Sequence, residues 1–236
     1  MKENELLAIV TAYFKEHIFL NHKNSVLKKH SKLKEYKINP ILVKYLSKIL
    51  ENDFTPLGIA KALYYPRVLG TSINTSFGTR IQNMFVALNL AEGSLIKGMD
   101  IEFMDKVENR KKWCQLKSGP NTINSEDVKP LLRKFSTVLN LARTNSINLT
   151  NNDLILGVLY GEKSQLSQHY QKIDKLHPVV VGKDFWYRIT GFPEFYSKLT
   201  TELDKMILNL ENEDFFKKGY QALAEEIKDS DLFEFS

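Results

Sequence analysis

Gly98-Met99-Asp100-Ile101-Glu102-Phe103, then a charged turn, then Trp113-Cys114-Gln115-Leu116-Lys117-Ser118-Gly119, is the stretch whose reading decides the fold. Both halves alternate apolar and polar residues with the period of two that marks a half-buried strand. Val107-Glu108-Asn109-Arg110 between them suits a hairpin turn. Successive strand side chains point to opposite faces, so Ile101, Phe103, Cys114 and Leu116 are expected on one side and Asp100, Glu102, Gln115 and Lys117 on the other. A core face therefore backs a polar one.

A carboxylate beside an amide oxygen is a pair of hard oxygen ligands. Such a pair suits Mg²⁺, which keeps several waters and accepts phosphate oxygens as further ligands. A lysine next to it can position an attacking water or offset charge that builds on a phosphorane-like transition state. The chemistry this pattern points to is phosphodiester hydrolysis. Two strands with acidic, amide and basic residues outward also occur in sheets that simply face water on one side, so the surrounding elements matter.

At these residues the chain resembles the PD-(D/E)XK nuclease superfamily, in the variant where glutamine replaces the middle acid to give Q-x-K. The resemblance implies Asp100 as the metal-binding aspartate, Gln115 as the second metal ligand, Lys117 as the catalytic lysine and Mg²⁺ as cofactor. The family's order of helix, strands, helix and strand has counterparts here. They are an apolar helix over Arg80 to Leu90, the hairpin, a helix from about Ser125 to Ala142 and a strand over Asp153 to Tyr160. The match covers roughly residues 75 to 190. Met99 stands where the family often has proline, and the family's first strand is hard to see between Ala91 and Lys97. With Gln115 neutral, Asp100 alone supplies an assured negative charge. Glu92, at the end of the preceding helix, and Glu102 are therefore candidate helpers at the catalytic site.

The chain leaves the second strand through Ser118-Gly119-Pro120-Asn121-Thr122-Ile123-Asn124 and starts a helix with Ser125 as its expected N-cap. Unpaired N–H groups and the helix dipole favour phosphate there, which makes Ser118, Asn121 and Asn124 candidate DNA contacts. Residues Asn21 to Lys37 hold Lys23, Lys28, Lys29, Lys32, Lys34 and Lys37 against Glu35 alone, so this segment carries the chain's whole formal charge of +5. Lysines that neutralise phosphates release counterions, so Lys23, Lys28, Lys29 and Lys32 are candidate backbone contacts, a solvated helix face being the alternative. The Gly70 to Arg80 segment, dense in hydroxyls and amides, reads as a loop ending at a helix start, with Thr75 or Ser76 as cap and Thr75, Ser76 and Arg80 as further phosphate ligands. It lacks the G-x-x-x-x-G-K-[ST] pattern of a nucleotide-binding loop. Gln165 and Gln168, in the polar stretch Glu162 to His169, could read base edges, although ordinary surface loops contain the same residues.

Helices are expected over Glu5 to Phe19, Pro40 to Leu50 and Leu57 to Leu63, packing on the core or on a second copy. Further on, Pro178 to Val181 and Phe185 to Ile189 read as strand-like pieces. The chain looks helical from Glu194 and closes on the acidic, aromatic end Asp229 to Ser236. The fold class expected is α/β (mixed α+β): a restriction-endonuclease-like core with a central mixed sheet flanked by helices. Residues 1–68 are expected to form an N-terminal helical region and 69–236 the nuclease core with C-terminal helices.

A chain of 236 residues can bury a sizeable core, and 43% hydrophobic with 26% charged residues is an ordinary globular composition. No apolar run reaches the length of a membrane span, and Met1-Lys-Glu-Asn-Glu-Leu-Leu7 does not read as a signal peptide. A single cysteine, Cys114, excludes an internal disulfide framework and a Cys-rich zinc site, and it reads as a small buried hydrophobe. The compartment expected is the cytoplasm.

What the resemblance implies is a type II restriction endonuclease that cuts double-stranded DNA at a short palindrome, a GC-rich site of the GGNCC kind. It would act as a homodimer, with a cognate DNA methyltransferase in the same cell and no membrane partner. Two other readings stay open. One is a modification-dependent or repair nuclease of the same superfamily, and the other is a DNA-binding protein that keeps the fold with a degenerate site.

Overall fold

The computed structural model describes residues 1–210, 214–230 and 232. Its helices are α1 (Glu3–Tyr13), α2 (Asn21–Ser25), α3 (Pro40–Glu51), α4 (Pro56–Pro66), α5 (Ile73–Ala87), α6 (Ser125–Thr144), α7 (Gln168–Asp174), α8 (Gly182–Thr190), α9 (Phe195–Leu208) and α10 (Phe215–Lys228). Wider helical turns at Phe14–Leu20, Val26–His30 and Arg67–Ser72 link several of them. The strands are β1 (Glu92–Gly93), β2 (Ile101–Asp105), β3 (Arg110–Lys117), β4 (Leu154–Val158) and β5 (Val179–Val181). Contacts divide the chain into one unit of residues 1–12 and 78–205 and another of residues 13–77 and 206–236.

The first unit is built around the sheet, in the order β1-β2-β3-β4-β5. β2 and β3 form the hairpin that the alternation predicts, antiparallel, with Ile101 opposite Cys114 and Phe103 opposite Lys112. The turn spans residues 106–109, one residue earlier than the sequence suggests. Asn109 takes the left-handed conformation that asparagine tolerates better than most residues (φ 51°), and the Asp105 carboxylate accepts the N–H groups of Val107 and Glu108. β3, β4 and β5 run parallel, which requires crossovers, and α6 and α7 supply them.

Both faces of the sheet are covered. Ile101, Phe103 and Cys114 pack on one side with Phe85 of α5 and Phe185 of α8, whose rings meet edge to face. Gly157 of β4 sits on this side because a Cβ there would come within 2.5 Å of the Phe185 ring and 2.8 Å of Cys114 Sγ. On the other side, Leu154, Leu156 and Val158 of β4 form one layer with Val128, Leu131, Phe135 and Val138 of α6. Those α6 residues alternate spacings of three and four, the stripe that turns one helix face inward. The polar face expected from the hairpin is therefore a margin beside a packed helix layer.

In the second unit, Ile59, Ala60, Tyr64, Leu223 and Ile227 form the centre of the core. α3 begins at Asn39, whose side chain accepts the N–H groups of Ile41 and Leu42, with Pro40 in the first turn. α4 begins at Thr55, which accepts from Gly58. Val43 and Ser47 are the buried side of α3, and Gly58 of α4 lies so close to the Ser47 hydroxyl that a Cβ would not fit.

Several local readings change. Thr75 and Ser76 lie inside α5 and not at the start of a helix, because Ile73, Phe77, Ile81 and Phe85 fall at spacings of four and carry the helix back through the polar stretch. Phe185 to Ile189 is helical, since Phe185, Trp186, Ile189 and Thr190 bury one helix face before Gly191 ends it at φ 85°. The N-cap of α6 is Asn124, one residue before Ser125. Most of the acidic, aromatic end, Asp231 and 233–236, lies outside the described residues.

Candidate active site

Gly98 adopts φ 99°, turning the chain into β2 with Met99 buried against the α6 layer in the position where the family often has proline. The Asp100 N–H then donates at 2.9 Å to the carbonyl of Cys114, the residue that also stands opposite Ile101, so Asp100 joins the edge of the hairpin one residue out of its regular register. Asp100 Oδ2 accepts the Leu116 N–H at 2.7 Å. Burial pushes the Asp100 carboxyl above its ordinary range, while the Leu116 hydrogen bond and the ammonium groups of Lys117 and Lys134 pull the other way. Lys134, on α6, packs its stem over Gly98.

Gln115 is 9% exposed, and its Oε1 is buried without a hydrogen-bond partner among the described residues. A buried polar oxygen left unpaired costs about 1–3 kcal/mol, so such an atom calls for an explanation. Lys117, two residues on, shares this face and is half-buried. The Asp100 carboxylate is thus held on the Gln115-Leu116-Lys117 segment at one end of the hairpin, within electrostatic reach of Lys117.

The two other acids have partners of their own. Glu92 and Glu102 are register partners on the same face, across β1 and β2. Glu102 accepts Ser94 Oγ at 2.7 Å and pairs with Lys111 at 2.8 Å, so both its oxygens are engaged. Glu92 is exposed and approaches Lys111 at 3.5 Å. β1 explains why the family's first strand is hard to see in the sequence: it is two residues long. Among the described residues no group of three or more His, Cys, Asp and Glu side chains could hold a metal ion. The oxygen donors here are instead one carboxylate and one unpaired amide. Mg²⁺ is commonly held by one or two carboxylates and completes its shell with water and phosphate, so the pair fits that ion better than an all-protein cage would.

The remaining candidates are dispersed. Ser118 and Asn121 follow β3 directly, half-buried and exposed. The Asn124 amide oxygen is spent on the N–H groups of Glu126 and Asp127, and the Asp127 carboxylate returns a bond to the Asn124 N–H. With two acids in its first turn, this helix end does not favour a phosphate as the sequence suggested. The Gln165 Oε1 accepts the Glu162 N–H, while Gln168 is exposed at the start of α7. Arg80 lies within α5. In the second unit, Lys28 and Lys29 are exposed, Lys32 pairs with Glu226 at 3.1 Å and the Lys23 ammonium lies 5.7 Å from the Phe215 ring centre. Cys114 is fully buried and its thiol is pushed well above the ordinary range, as suits a packing residue.

Sequence reasoning missed Gln82, whose Nε2 donates to the Asp100 carbonyl at 3.0 Å, and Lys111, which occupies Glu102. Gln82 carries no local signal: it becomes a neighbour of Asp100 only when α5 packs beside the start of β2.

A five-stranded mixed sheet enclosed by helices, with its acid and Q-x-K on the central hairpin, has the architecture of a restriction-endonuclease-like nuclease. A family model described as type II restriction endonuclease EcoO109I matches residues 10–227. The chain belongs to that family, whose activity is site-specific hydrolysis of DNA. No curated protein matches it.

Proposed function

We propose that the protein is a Mg²⁺-dependent endonuclease that hydrolyses both strands of double-stranded DNA at a short palindromic site, with Asp100, Gln115 and Lys117 as its catalytic residues. The observation that carries this reading is the Gln115 Oε1, buried without a partner among the described residues and next in sequence to the Leu116 N–H that holds the Asp100 carboxylate. Asp100 and Gln115 would hold the ion, which when bound acts as a Lewis acid on the scissile phosphate and lowers the pKa of a bound water.

The chain's own residues have distinct tasks. The Leu116 N–H fixes one Asp100 oxygen, and the other would be the one offered to the cation. Gln115 offers an amide oxygen that no hydrogen bond among the described residues occupies. The Lys117 ammonium orients the attacking water or offsets charge on the phosphate oxygens. Glu92 is the freer of the two helper acids, because Glu102 has both oxygens engaged. The exposed lysines of the Asn21 to Lys37 segment would add sequence-independent backbone affinity.

A palindromic site is most simply cut by a two-fold dimer. Such an enzyme acts in the cytoplasm beside a methyltransferase that protects the host's own sites, and among the described residues no helix is long and apolar enough to cross a membrane. Incubating plasmid with the protein and Mg²⁺ tests the assignment. Discrete bands are expected from the native chain, and none from Asp100→Ala or Lys117→Ala. Mapping the ends gives the site, for which a GGNCC-like sequence is the expectation. If all three cut alike, these residues are not the catalytic ones; if none cuts, a DNA-binding protein with a degenerate site is the better reading. Cutting only of methylated or branched DNA would instead favour a modification-dependent or repair nuclease.

A further inference from the structure

α3 carries six large apolar side chains on its outer side: Ile41, Leu42, Tyr45, Leu46, Ile49 and Leu50. Ile41, Tyr45 and Ile49 are 79%, 64% and 60% exposed, and the others 39–55%. Together they leave roughly 700 Å² of accessible surface uncovered, more than a monomer normally presents in one patch and close to the ~800 Å² that each partner gives to a standard interface. Packing within the unit does not account for them. The buried side of the helix is Val43 and Ser47, held against α4.

The spacing of the patch says what covers it. Positions 41, 42, 45, 46, 49 and 50 form a pattern that reads the same from either end, centred between Tyr45 and Leu46. An isologous contact requires this property, since residue i must meet residue j while j meets i. Laid antiparallel on a second α3, Ile41 falls against Leu50 of the other copy, Leu42 against Ile49, and Tyr45 against Leu46, so every apolar side chain meets another. Flanking Lys44 and Lys48 are drawn back, the first to the Phe54 ring at 5.2 Å and the second to the Asn52 carbonyl. Neither ammonium has to be desolvated at the seam.

We propose that the outer face of α3 is the two-fold interface between two copies of this chain. The inference rests on the reading of a palindromic DNA site given above, and names the surface that would join the two nuclease units.

Light scattering and sedimentation test it on the full chain. The native protein is expected at twice its 27.3 kDa mass, and the doubly charged variant Tyr45→Lys/Ile49→Lys at 27.3 kDa with an unchanged far-ultraviolet circular dichroism spectrum. A second test does not depend on disrupting anything. The one natural cysteine is buried, so Tyr45→Cys, close to the symmetry axis, should be joined into a covalent dimer by a short bis-maleimide, whereas Ile147→Cys should not. A native chain that is monomeric, a charged variant that stays dimeric, or a Tyr45→Cys protein that resists crosslinking overturns the proposal. Plasmid cleavage separates it from the catalytic reading: a protein that cuts as a monomer sinks the interface alone, and a dimer that never cuts sinks the nuclease assignment alone.

Discussion

The backbone N–H of Leu116 donates to Oδ2 of Asp100 at 2.7 Å, so the acid at the start of β2 is tied to the middle residue of Gln115-Leu116-Lys117. One hydrogen bond thereby fixes the position of Asp100 relative to both of its expected partners. It also leaves the carboxylate in conflict with its surroundings. Burial disfavours the charge, and Lys117 and Lys134 only partly offset that cost. A protein selected for stability alone would not keep a half-buried acid and an unpaired amide oxygen. That cost in stability is what the proposed cation and phosphate site would require.

Asp100→Asn should separate the two demands. Asparagine can still accept from Leu116, but it carries no charge and offers a poor ligand, so cleavage should fall by at least ~10³-fold. Stability should move the other way. The Asp100 pKa is raised in the folded state, so its ionisation opposes folding, and this penalty grows as pH rises from the unfolded carboxylate range of about 3.9 through the folded value. The variant should therefore melt above the native protein at pH 7 in metal-free buffer, with the difference vanishing as pH falls below about 4. A variant that melts lower at pH 7 would show that Asp100 is a structural anchor.

Two changes at Gln115 should have opposite signatures. Gln115→Leu removes a buried unpaired oxygen at nearly constant volume, so the free energy of unfolding should rise by about 1 kcal/mol while cleavage is lost. Gln115→Glu supplies a second carboxylate, and the Mg²⁺ concentration that half-saturates cleavage should fall. Titrating Mg²⁺ against initial rate checks this. A rise in that concentration would mean that the amide's N–H₂ group, and not its oxygen, is the functional part.

The hairpin was legible because alternation of period two is a local property, and Asp100, Gln115 and Lys117 lie within it. The helices with wide apolar stripes were legible for the same reason. Other features depend on partners remote in sequence. β1 is two residues long and exists because Glu92 and Gly93 find Glu102 and Ile101. Thr75 and Ser76 read as loop because hydroxyls favour caps, yet the apolar residues every fourth position decide the matter. Phe185-Trp186-Tyr187 has strand propensity, but two aromatic rings on one helix face pack against Phe85 and Phe195. The engagement of Glu102 by Lys111 and Ser94 carries no sequence signal, because each is a common surface residue until the sheet forms.

The basic segment should act on affinity and not on cleavage position. Lys28 and Lys29 are exposed, so each change to alanine should weaken DNA binding about equally for specific and random duplexes and reduce the steepness of the log–log salt dependence by roughly 1. Lys32→Ala should do less, because its ammonium is already paired with Glu226. Fluorescence anisotropy over a range of salt concentrations distinguishes them. If Lys28→Ala and Lys29→Ala leave the slope unchanged, the segment is a solvated face.

At the other end of the hairpin, Asp153 should set much of the protein's acid sensitivity. Its side chain is 1% exposed, and it accepts from Arg110, from Thr150 and from the ammonium of buried Lys112. Burial alone would raise its pKa, but the Arg110 guanidinium and the Thr150 hydrogen bonds outweigh that and hold the carboxyl well below the usual range. A carboxylate depressed in the folded state stabilises it fully above the unfolded pKa of about 3.9, and that contribution drains away as pH falls toward the folded value. The native chain should lose stability steeply below about pH 4. Asp153→Asn should flatten that slope and cost about 3–5 kcal/mol at pH 7, since it leaves Lys112 buried with Glu108 as its remaining acid. Urea unfolding at pH 7 and at about pH 2.5 measures both effects. Equal losses in the two proteins between those pH values would assign the acid sensitivity to another carboxylate.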